Sequence, residues 1–192
     1  MTDNELVQQV LAGNENACRF LVVKYQKLVF HIVRRVINQQ EELEDLCQDI
    51  FMKVFSQLKT YRGNSKLSTW IATISYNTSI TCYNRMKRSS VVGREEFDRL
   101  PESEHQTGNT GQEVEFSELK SYLLKFIETL PVHYRTVLTL FYLEEFSYRE
   151  IEEITGMPEG TIKSYLSRAR VMMKAKLENM QHHEKARIFE KI

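Results

Sequence analysis

A chain of 192 residues, 42% of them hydrophobic, suffices for one larger domain or two small ones and excludes a compositionally disordered protein. Seven glycines and three prolines are few breakers, so long helices and an all-α fold are expected over a many-stranded sheet. Charge balances at 26 bases against 26 acids, no apolar run approaches the ~18 residues a bilayer requires, and "MTDNELVQQV" lacks a signal peptide's pattern, which points to a cytoplasmic protein without membrane insertion.

Thr2 and Glu5 have the spacing of a capping box, and Leu6, Val7, Val10 and Leu11 then repeat at helical spacing as far as Gly13. Asn14 or Asn16 caps a second helix whose apolar stripe runs from Phe20 and Leu21 through Leu28 and Ile32 to Val36, ending near Asn38. A third helix spans about Glu41 to Leu58. Its Leu43, Leu46, Ile50 and Val54 share one face, and the opposite face begins acidic. "TYRGNSKLS" breaks the pattern, with Ser65 or Ser68 as the next cap. The fourth helix, about Ser68 to Lys87, carries Leu67, Trp70, Ile71 and Ile74 on its inner side and ends in "NRMKR". Trp70 reads as a core residue before it reads as a stacking platform.

Between about Ser89 and Ser117 apolar residues are too sparse for a core. Glu95, Glu96, Asp98, Glu102, Glu104, Glu113 and Glu115 make this stretch an acidic flexible linker, and its length argues for two domains. The expected division is a helical bundle over 1–90, a linker over 91–116, a second helical unit over 117–180 and a tail over 181–192. After a helix from about Ser117 to Thr129, Pro131 opens another that reaches about Leu143.

The stretch "SYREIEEITGMPEGTIKSYLSRAR" then places a short helix before Gly156, which can adopt the left-handed conformation that ends it, and Pro158 at the start of the next. Two helices so closely joined cross steeply, with Ile151, Ile154, Ile162 and Leu166 spaced to pack at the crossing. This is a helix-turn-helix. Its second helix carries Lys163, Arg168, Arg170, Lys174 and Lys176 with the short polar Thr161, Ser164 and Ser167, the pattern of an element that touches phosphates and base edges in a major groove. Glu144, Glu145, Glu150, Glu152 and Glu153 precede the turn and would keep most of the first helix off DNA.

Cys18, Cys47 and Cys82 lie too far apart for a zinc or redox pair, and the adjacent His182 and His183 point in different directions on a helix. Neither a metal nor a cofactor is expected. The neighbouring Glu152 and Glu153 or the pair His182 and His183 would be the only candidates for an enzyme, and no convergent nucleophile and base, phosphate-cradling glycine loop or metal spacing supports one.

The two helical blocks resemble bacterial RNA polymerase sigma factors of the extracytoplasmic-function (ECF) group of the sigma-70 family. "EELEDLCQDIFMKVFSQLKTYRGNSKLSTWIATISYNTSITCYNRMKR" is similar to their region 2, and "LPVHYRTVLTLFYLEEFSYREIEEITGMPEGTIKSYLSRARVMMKAKL" to their region 4. The resemblance implies a non-catalytic specificity subunit whose partners are core RNA polymerase, through the clamp helices of its largest subunit and the flap of the second, promoter DNA, and an anti-sigma factor. It implies core polymerase binding at Glu44, Asp45, Gln48 and Asp49, and capture of melted minus-10 bases at Asn77, Tyr83, Arg85, Lys87 and Arg88. Tyr61, Lys66 and Tyr76 could add contacts there. Reading of the minus-35 duplex falls to Gly160, Thr161, Lys163, Ser164, Ser167 and Arg168, with the Arg168 guanidinium suited to guanine and Gly160 and Thr161 to backbone-phosphate contacts. The linker then either mimics nucleic acid near the polymerase cleft or is a passive tether.

Two departures from the family pattern stand out. Glu152 replaces a customary alanine, which bears on how closely the motif helices pack. Tyr165 replaces a frequent arginine, which implies an altered promoter preference or a lost phosphate contact. A stand-alone helix-turn-helix regulator is the alternative, and it leaves the region 2 likeness unexplained.

Overall fold

The computed structural model describes residues 2–37, 42–89 and 126–189, and among these every regular element is helical. The acidic segment 91–116 and the first part of the helix expected from Ser117 lie outside the described residues.

In the first unit, α1 (Asp3–Leu11) begins with the anticipated capping box, in which the Glu5 N–H donates to Thr2 Oγ1 at 3.2 Å and the Thr2 N–H to Glu5 Oε2 at 2.7 Å. Gly13, at φ +81°, turns the chain into α2 (Glu15–Val36), where Asn14 Oδ1 accepts from the N–H groups of Asn16 and Ala17. Leu21, Val29, Val33 and Val36 on α2 are fully buried, because α1, α3 (Leu43–Gln57) and α4 (Leu67–Ser89) all pack around this helix. Leu43, Leu46, Ile50 and Val54 turn one face of α3 inward, and a short 3-10 turn, Leu58–Thr60, ends it.

Neither Ser65 nor Ser68 supplies the cap hydrogen bond at the start of α4. The Leu67 N–H donates at 3.0 Å to Asp3 Oδ2, while Asp3 Oδ1 accepts from Lys24 Nζ at 3.2 Å and from the Tyr25 hydroxyl at 3.4 Å. A tertiary carboxylate displaces the local hydroxyl because it adds charge at the positive end of the helix and ties three helices together. Burial pushes the Asp3 carboxyl up, but these donors and the Lys24 charge outweigh it and leave its pKa lowered.

The second unit comprises the helical turn 126–129, α5 (Val132–Leu138), α6 (Tyr148–Thr155) and α7 (Glu159–Phe189). Pro131 sits at the cap of α5, one position before its first turn. The helix expected to reach Leu143 changes character at Thr139, and Thr139–Leu143 form a π-helical turn whose end is marked by the Glu144 N–H donating to the Thr139 carbonyl. Leu130, Val137, Leu140, Phe146, Ile151, Ile154, Ile162, Leu166 and Ala169 make the core of this unit.

The two units are docked, with α6 against α4 and α5 with the π-turn against α2. Small residues permit the close approach at α4: Ala72, Ser75 and Ser79 are fully buried, and both serine hydroxyls are satisfied by the carbonyl four residues back. The seam is polar for so buried a place. Arg35, 6% exposed, donates through Nε to Thr139 Oγ1 at 3.0 Å, and Arg135, 4% exposed, donates to the Glu128 carbonyl at 3.3 Å. Glu128 also pairs with Arg34 at 3.2 Å and Arg35 at 3.9 Å, Glu144 with His31, and Glu150 with Lys66 at 3.0 Å. Burial lowers the pKa of both seam arginines, opposed for Arg35 by Glu128 and for Arg135 first by Tyr83.

Candidate nucleic-acid interface

On α4, residues three or four apart share a face. Asn77, Thr81, Arg85 and Arg88 therefore form one row, and Thr81, Asn84, Arg85 and Arg88 line an open concavity of about 620 Å³. Asn77, Arg85 and Arg88 are exposed there. Tyr83 and Lys87 are half-buried and occupy the other side of the helix with Tyr76, which is only 5% exposed. Burial pushes the Tyr76 hydroxyl up to about 12, so it stays protonated across the ordinary pH range. Three of the five expected minus-10 residues are thus brought together, and stacking is closed to Tyr76 while the units are docked. Thr81 and Asn84 join the row and escaped the sequence reading, although their helical spacing from Asn77 marked them. Trp70 packs edge-on against Tyr61, whose hydroxyl donates to the Ser65 carbonyl, and the exposed Lys66 pairs with Glu150 at 3.0 Å.

Glu44, Asp45, Gln48 and Asp49 are all exposed on α3, opposite its buried stripe. No basic side chain pairs with them among the salt bridges of the described residues.

The helix-turn-helix forms from α6 and α7. Ser147 and Glu150 make a reciprocal capping box at the start of α6, and Gly156, at φ +71°, ends it with its N–H bonded to the Glu152 carbonyl at 2.8 Å. Ile151 and Ile154 of α6 meet Ile162 and Leu166 of α7, all buried, as their spacing foretold. Glu152 is exposed, so the missing alanine does not disturb the packing. Tyr165 turns away from solvent, its ring 4.5 Å from that of Tyr134 and stacked with His133 at 6.3 Å, which gives it a packing role in this arrangement. Of the acids before the turn, Glu144 and Glu150 face the first unit, Glu144 in a hydrogen bond with His31 Nδ1 and Glu150 in an ion pair with Lys66.

Gly160, Lys163, Ser164, Ser167 and Arg168 are exposed on α7, while Thr161 is half-buried. The Thr161 N–H is already donated to the Pro158 carbonyl at 2.8 Å, which leaves its hydroxyl as the group free for a ligand. Lys163 pairs with Glu159 and lies over the Tyr148 ring, 5.3 Å from its centroid. Two helical turns further on, Arg170 lies over the Tyr142 ring at 5.7 Å. Lys163, Ser167, Arg170 and Lys174 run in a row at spacings of four, three and four, all exposed.

Family models for "Sigma-70 region 2" and "Sigma-70, region 4" match residues 21–89 and 120–173. The "ECF RNA polymerase sigma-E factor" of Haemophilus influenzae is 30% identical over 183 residues, covering 93% of this chain and 96% of that protein. Its Escherichia coli K12 namesake is 31% identical over 188 residues, covering 93% and 95%. Among solved structures, CnrH in complex with the cytosolic domain of CnrY shares the fold at a TM-score of 0.64 and 18% identity, over 92% of this chain and 97% of that one. The sigma factor RpoE from Bartonella quintana, in complex with the anti-sigma factor NepR, does so at 0.63 and 22%, over 83% and 96%. With both regions present in order and with relatives matched over nearly their whole length, the chain belongs to the ECF sigma factors of the sigma-70 family, the class that serves transcription initiation.

Proposed function

We propose that this sigma factor directs promoter-specific initiation through three surfaces. The carboxylate face of α3, with Glu44, Asp45, Gln48 and Asp49, docks on basic clamp helices of core polymerase. The row Asn77, Thr81, Asn84, Arg85 and Arg88 on α4 takes melted minus-10 bases, with amides and hydroxyls for base edges and guanidiniums for phosphates. The outward face of α7 reads the minus-35 duplex, with Lys163 and Arg170 on phosphates and Ser164, Ser167 and Arg168 toward the bases. Residues 1–90 and 117–180 are the two working domains in this scheme, 91–116 is the tether, and 181–192 is a tail. The chain brings no covalent chemistry of its own.

The observation that carries the reading is the pair of exposed polar, basic rows, one on each unit, both free of carboxylates except for Glu159 at the start of α7. The docked form cannot serve both elements at once. A body of roughly 150 residues has a radius of gyration of ~15 Å, whereas about 25 base pairs at 3.4 Å each extend ~85 Å. The units therefore separate on polymerase, and the polar seam suits a contact that must open. The solved neighbours carry CnrY and NepR, which supports an anti-sigma partner for this chain as well.

The test is transcription in vitro with core polymerase over a randomised promoter library. Start sites sharing one upstream and one downstream motif are expected. An absence of start sites, together with tight duplex binding by the chain alone, would move the reading to a stand-alone regulator.

A further inference from the structure

Two aromatic residues of the π-helical turn and one from α6 form a continuous floor beside α7. Tyr142 meets Phe141 edge-on with centroids 5.0 Å apart, and Phe141 stacks on Tyr148 at 5.1 Å with the planes 4° apart. The cations of α7 lie over the two ends of this floor, Arg170 over Tyr142 and Lys163 over Tyr148. Arg170 also donates its Nε–H to the Tyr142 hydroxyl. Tyr142 is 51% exposed, far more than a packing role demands.

We infer that Tyr142 is a positioning residue for duplex recognition: it holds Arg170 in the pose that meets a DNA phosphate. This rests on the minus-35 reading of α7. An arginine carries five donors in a planar fork. With Nε given to Tyr142, and the Tyr148 hydroxyl also within hydrogen-bonding reach of the guanidinium, the Nη groups are the ones placed to grip a phosphate side by side. A free arginine would lose rotamer freedom on contact, and a side chain already held against a ring and a hydroxyl has surrendered most of it beforehand. The π-turn makes this possible. One extra residue in the helical turn shifts the side chains after Thr139, and it is within this turn that Tyr142 comes to lie against Arg170. The Tyr142 hydroxyl also raises the already high pKa of Arg170, so the charge offered to DNA is constant across the physiological range.

The experiment uses the full chain assembled with core polymerase and a labelled promoter duplex selected from the randomised library by the wild-type holoenzyme. Dissociation constants are measured from 50 to 200 mM salt for Arg170→Ala, Tyr142→Ala, Tyr142→Phe and the double variant. Arg170→Ala is expected to reduce the salt slope by about 0.9, the loss of one phosphate contact. Tyr142→Ala should weaken binding roughly three- to tenfold with the slope nearly unchanged, since the contact still forms from a disordered side chain. Tyr142→Phe, which keeps the ring, should fall between. In the Arg170→Ala background, Tyr142→Ala should change nothing further. An equal loss in both backgrounds, or no loss from Tyr142→Ala, overturns the inference. Arg168→Ala separates the failures. If it lowers affinity while Tyr142→Ala does not, the minus-35 reading stands and the positioning role falls, and if Arg168→Ala and Arg170→Ala are both silent, the two fall together.

Discussion

Replacing Glu150 by alanine separates two roles that its position combines. Its carboxylate accepts from the Ser147 N–H at 2.9 Å and the Ser147 hydroxyl at 2.7 Å, closing the box that starts α6, and it also pairs with Lys66 Nζ at 3.0 Å across the seam. A capping interaction contributes about 1 kcal/mol. The Lys66 side chain is 72% exposed, so its ion pair is screened and contributes at most about 0.5 kcal/mol. Glu150→Ala should therefore cost about 1.5 kcal/mol, mostly local to α6, and Lys66→Ala under about 0.5 kcal/mol. Urea midpoints at pH 7 measure both. Acid titration adds an independent check. Burial pushes the Glu150 carboxyl up, but the Ser147 hydroxyl, its amide and Lys66 outweigh burial and bring the pKa to about 2. A carboxyl held below its unfolded value stabilises fully above pH ~4.5, and that contribution disappears as pH falls toward 2. The gap between wild type and Glu150→Ala should close over that interval. A loss from Lys66→Ala as large as that from Glu150→Ala, or a gap independent of pH, would refute the assignment of the energy to the helix cap.

Asp3→Ala removes the tertiary cap of α4 and the Lys24 pair, and thermal denaturation should register a loss of about 1–2 kcal/mol. Because the Asp3 pKa is lowered, this loss should be present above pH ~4 and should vanish in stronger acid. Gly156→Ala meets no atom within 4 Å, so its cost is purely that of holding a non-glycine residue at φ +71°, about 1–2 kcal/mol in the melting of the helix-turn-helix. Arg35→Glu sets a carboxylate beside Glu128 in the seam, and small-angle scattering of the free chain should show a larger radius of gyration while helical content by circular dichroism stays unchanged.

Most of the helices, the caps of α1 and α2 and the helix-turn-helix were legible in the sequence because each depends on residues within a few positions of one another. Thr2 with Glu5, Asn14, the Ile151–Ile162 crossing and Gly156 are signals of this kind. The same spacing put Glu44, Asp45, Gln48 and Asp49 on one exposed face and Lys163, Ser164, Ser167 and Arg168 on another. Contacts between distant segments decided the rest. Asp3 caps a helix 64 positions away, Tyr83 and Lys87 fall on the side of α4 that includes the buried Tyr76, and Tyr165, read from the sequence only as a replaced arginine, packs against Tyr134. The π-turn that brings Tyr142 to Arg170 left no mark in the apolar pattern, since helices of five-residue and four-residue hydrogen-bond reach bury nearly the same stripe. Local chemistry determines which helices form and what each face carries; which faces remain for DNA is settled only when the helices pack, because burial depends on neighbours that the chain order does not reveal.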